Sequence, residues 1–118
     1  MRTGILISSL LLVLFGNIAA LAHAYLDHAS PLVGSTAPAA PREVVLTFTQ
    51  NLEAAFSSVE ITDANGARVD QGKRQISGYV MRVSLKSTAQ GTYRVRWHVL
   101  SVDTHKTEGS FTFRVGGP

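Results

Sequence analysis

The chain reads as an all-β protein, a single immunoglobulin-like or Greek-key β-sandwich or barrel, and three observations predict it. Apolar and polar residues alternate through several short runs, the period of a half-buried strand. Gly, Pro, Asn and Asp punctuate those runs at regular spacing, as in sandwiches and barrels. Beyond the first two dozen residues nothing carries a helical repeat of useful length, and no segment repeats another.

Taken in order, Leu32 to Arg42, entered through Pro31 and interrupted by Gly34, Pro38 and Pro41, is an extended or looping lead-in. Glu43–Thr49 alternates cleanly, with Val44, Leu46 and Phe48 on one face. Leu52–Ser58 alone has a helical look and is too short to stand as a helix. Val59–Thr62 is β-rich and runs into the turn Asp63-Ala64-Asn65-Gly66, with Ala67–Val69 beyond it. Tyr79–Leu85 alternates again. After the turn at Gln90-Gly91, Thr92–Val99 places Tyr93, Val95, Trp97 and Val99 together, and Gly109–Val115 does the same for Phe111, Phe113 and Val115.

The first 22 residues have the layout of an export signal: Arg2 as the one charge, an apolar run from Ile5 to Phe15, and Ala20-Leu21-Ala22 with its small residues. Cleavage after Ala22 makes 1–22 a signal peptide and 23–118 the mature domain. Ala22-His23-Ala24 also fits the small-x-small rule, so the residues alone leave a cut after Ala24 open. A retained anchor is the other reading of the same stretch.

Removing 1–22 from 118 residues leaves 96, enough for one small domain that buries roughly two thirds of its unfolded surface. There is no cysteine, so an exported domain of this size has neither a disulfide framework nor thiolate ligands. The formal charge of +3 becomes +2 once Arg2 leaves, and basic and acidic residues are interspersed. Without a basic run or aromatics set among Lys and Arg, nucleic-acid binding has no support.

The chemistry-bearing residues are few. Cut after Ala22, the mature chain begins at His23, whose α-amine and imidazole can close a chelate ring on one metal ion. Ser101-Val102-Asp103-Thr104-His105 offers a carboxylate and a second imidazole, and on a strand Asp103 and His105 project to the same side. Three nitrogens and one carboxylate oxygen suit copper(II), which heads the affinity order for such ligands; zinc would take the same donors less tightly. Alone, the Asp-x-His pair is equally a surface turn or a packed histidine. His28 beside Asp27 is an exposed histidine or a substitute for His23. His98 falls with Arg94 and Arg96 on a solvent face, as a rim residue or an outer partner of the site. Met81, the sole sulfur of the mature chain, sits in an alternating strand as core filler, and copper(I) prefers softer ligands. No Gly-x-Ser-x-Gly elbow and no phosphate-cradling glycine loop is present.

With the signal removed, His23-Ala24-Tyr25-Leu26-Asp27-His28-Ala29-Ser30-Pro31 resembles the opening of the CopC family of periplasmic copper carriers. Val44-Val45-Leu46-Thr47-Phe48-Thr49-Gln50-Asn51-Leu52 looks like that family's first long strand. Gly91-Thr92-Tyr93-Arg94-Val95-Arg96-Trp97 is similar to its Gly-Thr-Tyr strand, and Ser101–His105 with Gly109 and Phe111-Thr112-Phe113 to its hallmark segment. The resemblance spans essentially the whole mature chain. It implies a monomeric, non-enzymatic carrier of one copper(II) ion, held by the amine and ring of His23, by Asp103 and by His105. It also implies a role in copper resistance or supply, with an inner-membrane transport protein of the CopD type as partner. The missing methionine-rich loop implies a copper(II)-only subtype, and the family pattern favours the cut after Ala22. Two other classes compete: a copper monooxygenase, which also uses an N-terminal histidine on a β-sandwich, and a metal-free interaction module.

Overall fold

The computed structural model describes residues 24–86 and 88–116. The expected leader, His23 and the cleavage site lie outside the described residues. Among the described residues eight strands form two four-stranded sheets. One sheet runs β1 (Leu26–Ser30), β3 (Glu43–Phe48), β6 (Val80–Leu85) and β5 (Asp70–Ser77), all antiparallel. The other runs β2 (Thr36–Ala37), β8 (Lys106–Val115), β7 (Gly91–Leu100) and β4 (Ser58–Thr62), with the short β2 parallel to β8. The all-β sandwich follows directly from the alternation. Among the described residues no helix is long and apolar enough to cross a membrane.

The two inner faces close on each other through the residues that alternate inward. Val44, Leu46, Phe48, Met81, Val83 and Leu85 come from the first sheet, and Ile61, Tyr93, Val95, Val99, Phe111 and Phe113 from the second. With no disulfide, this burial carries the fold, at about 25 cal/mol per Å² of apolar surface removed from water. Phe48 meets Trp97 edge-on across the sheets at 6.0 Å, and Trp97 leans on Phe111 at 6.3 Å. Trp97 lies directly opposite Gly109, where an added Cβ would meet the indole at 2.4 Å. That glycine is the space the ring occupies.

One local reading is corrected, one strand is added and one short segment is filled in. Ala67–Val69 is no strand of its own: Arg68 makes an isolated bridge with Thr62, and pairing resumes at Asp70. β5 escaped sequence reading because it is a sheet edge with only Ile76 apolar, and edges favour charged residues that discourage further pairing. A bulge between Asp70 and Arg74, with Gly72 at φ +78°, blurs its period further. Within Leu52–Ser58, Ala54–Phe56 form a single 3-10 turn.

Candidate metal centre

The hairpin turn between β7 and β8 carries Asp103 and His105. Sequence periodicity put them side by side on an extended strand. The structure corrects the reason: Ser101 to His105 is a tight turn, and Thr104 reaches it with φ +71°, a conformation costly for a branched side chain. The turn closes through Ser101 N–H to the His105 carbonyl at 3.0 Å and Thr104 N–H to the Ser101 carbonyl at 2.9 Å. Its consequence is the juxtaposition expected of a donor pair, with His105 Nδ1 3.4 Å from Asp103 Oδ1 and both side chains 43% exposed.

Ser101 organises this corner, and sequence reading passed it over. It is fully buried, and its hydroxyl donates to the Asp103 carboxylate and meets the His105 amide and carbonyl at 3.3 and 3.2 Å. The Ser101 hydrogen bond, aided by His105 and opposed by partial desolvation, holds the Asp103 carboxyl below the usual carboxylate range. Asp103 is therefore ionised at neutral pH. A serine at this spacing has no sequence mark that separates it from a solvent-facing one; only its burial does.

The start of the described chain arrives at the same corner. Thr107, two residues after His105, donates its hydroxyl to the Ala24 carbonyl at 2.7 Å. Ala24 is fully buried and belongs to the core. Tyr25 pairs with Thr49, its carbonyl accepting from the Thr49 amide at 2.9 Å.

Among the described residues no three His, Asp or Glu side chains come together, so Asp103 and His105 supply two donors and no more. A histidine ring and an ionised carboxylate, adjacent on half-exposed side chains, match the donor types of a tetragonal copper(II) site. The other two described histidines stand apart. His28 is exposed and paired with Asp27 at 2.9 Å. His98 is exposed on the outer face of β7 between Ser58 and Glu108, with Arg94 and Arg96, as the alternation predicts. Met81 is fully buried in the core.

A model of the CopC domain matches residues 26–116 of the chain. The chain is 37% identical over 102 residues to Protein YobA of Escherichia coli strain K12, covering 80% of itself and 79% of that protein. It is 32% identical over 111 residues to the copper transport protein CutJ of Bacillus subtilis strain 168, covering 91% of itself but 20% of that longer chain. The crystal structure of PcoC, a methionine-rich copper resistance protein from Escherichia coli, superposes with a TM-score of 0.71 at 31% identity. That match covers 80% of this chain and 99% of PcoC.

Proposed function

The chain belongs to the CopC family, and from that premise we propose that it is a periplasmic carrier of one copper(II) ion. Copper resistance and transport are the family's business, and its members are not enzymes. This sets aside the monooxygenase reading. In our proposal the signal is removed after Ala22, and the ion is cargo held by the α-amine and imidazole of His23, the Asp103 carboxylate and the His105 ring.

One observation supports the reading: Thr107, two residues after the Asp103–His105 pair, is tied to Ala24. Burial of Ala24 also favours the earlier cut, since cleavage after Ala24 would remove a core residue along with His23. With Met81 sealed in the core, no accessible thioether is at hand for copper(I) among the described residues.

Delivery to, or receipt from, a membrane copper-transport protein of the CopD type is the partner role. CutJ, a copper transport protein in which this chain corresponds to a fifth of the length, supports that pairing. So do Tyr25, Tyr79 and Val102, which are 48%, 51% and 51% exposed. The segment Phe48 to Asn51 ties all three to this end through backbone hydrogen bonds.

The test is the mass of the exported protein followed by copper(II) titration of that protein and of a form carrying one extra N-terminal residue. The expected mature chain starts at His23 and binds one equivalent, and the extended form binds far more weakly. A chain that starts at Tyr25 and still binds tightly overturns the ligand assignment.

A further inference from the structure

One peptide group at the start of the fold is held from both sides. The carbonyl of Ala24 accepts from the Thr107 hydroxyl at 2.7 Å, and the N–H of Tyr25, the other half of the same amide, donates to the Thr49 hydroxyl at 2.9 Å. Thr107 belongs to β8 of one sheet, and Thr49 follows directly on β3 of the other. Two threonines from opposite sheets therefore grip the single Ala24–Tyr25 peptide, one residue beyond position 23.

Ordinary packing does not require this arrangement. Thr107 sits on the inward row of β8 that continues with Gly109, Phe111, Phe113 and Val115, where a valine of the same shape would serve a hydrophobic core. A hydroxyl there must find a partner, and it finds the terminal segment, 83 residues away in sequence. Chain ends fray unless tied down. A ligand borne on a free terminus loses affinity to the entropy of ordering it, and pre-organisation recovers that loss.

Building on the copper-carrier reading, we propose that Thr107 and Thr49 are positioning residues for the metal centre. They hold the Ala24–Tyr25 peptide and so limit the freedom of the proposed ligand His23, one residue before it. Neither hydroxyl is a ligand. Each acts on the ion through the backbone it fixes, as outer partners orient first ligands elsewhere.

The test uses the processed full-length protein and copper(II) alone, with affinity read by chelator competition and site homogeneity by electron paramagnetic resonance. Thr107→Val is expected to weaken binding about 10- to 100-fold, the range for loss of an outer-shell partner, and to broaden one copper spectrum into a mixture. Thr107→Ser, which keeps the hydroxyl, is expected within about threefold of the parent on the same scale. Thermal stability is measured alongside. A Thr107→Val protein that binds copper as the parent does overturns the proposal, whatever its stability, and so does an equal loss in Thr107→Ser. Should Thr107→Val fail to fold, Thr49→Val, which removes the opposite arm, is judged by the same criteria. His105→Ala separates the two levels. Unchanged copper retention there removes the metal centre itself, whereas loss there with a normal Thr107→Val removes only the clamp.

Discussion

Asp70 and Asp103 each stand two residues from a nitrogen-bearing side chain, Arg68 and His105, and they have opposite fates. Asp70 is 3% exposed, and both its oxygens are taken: Oδ2 by Arg68 Nε and the Ile61 amide, each at 2.8 Å, and Oδ1 by a second Arg68 nitrogen at 2.9 Å and the Gly72 amide at 3.0 Å. Asp103 is 43% exposed on its side chain, and Ser101 and His105 both meet its Oδ1. A carboxylate offers about four acceptor sites. Asp70 has spent them on the fold, whereas Asp103 keeps capacity for a ligand. The lesson is that exposure and satisfaction, more than charge or spacing, separate a carboxylate spent on the fold from one left open to a ligand.

The sharpest way to break that contrast is a crossed pair of variants. His105→Ala is expected to lower copper(II) affinity by at least about a hundredfold, since it removes a proposed ligand and not merely its support, while urea unfolding of the metal-free protein barely changes. Asp70→Asn is expected to do the reverse. It should cost about 2 kcal/mol in urea unfolding by weakening the hold on Arg68 and the buried Ile61 amide, with copper affinity unchanged. If either variant moves both quantities together, the two corners are not separable in the way the geometry indicates.

A smaller effect sharpens the binding side. Ser101→Ala removes the hydroxyl that braces Asp103 and the His105 backbone, and about a tenfold loss of copper affinity is expected in chelator competition. Without that hydrogen bond the Asp103 carboxyl returns toward its ordinary range, so the deficit should widen as the solution is acidified.

The smallest effect concerns acid stability. Burial alone would push the Asp70 carboxyl up, but Arg68 and the Ile61 and Gly72 amides outweigh it and hold it below the ordinary value. The unfolded chain therefore binds this proton more readily than the folded one. The stability it contributes is complete above the unfolded pKa of about 3.9 and is lost as pH falls through the folded value. Urea midpoints followed below about pH 4 should decline more steeply in the parent than in Asp70→Asn. Parallel curves would show that Asp70 is not the group that titrates with unfolding.

Much of the fold was legible in the chain because alternation is a local property. Val44, Leu46 and Phe48, or Phe111, Phe113 and Val115, declare their inward face within a few residues, and each lies in the core. β5 was not legible, because an edge strand is polar along nearly its whole length and a bulge interrupts its period. At the site, the spacing of Asp103 and His105 identified the donor types, but for the wrong local reason. A turn through Thr104, braced by buried Ser101, brings them together where an extended strand had been expected.

By itself, then, the sequence determined an all-β domain without disulfides, its inward rows, and the donor side chains that our proposal assigns to a cupric ion. The tertiary structure alone decided that Asp70 is saturated while Asp103 is open, that Ser101 is interior, and that Ala24 docks on Thr107 across 83 residues. The physical reason is range. Side-chain period and turn chemistry act over a few neighbours, whereas burial and hydrogen-bond satisfaction depend on which distant segments the closed sandwich presses together.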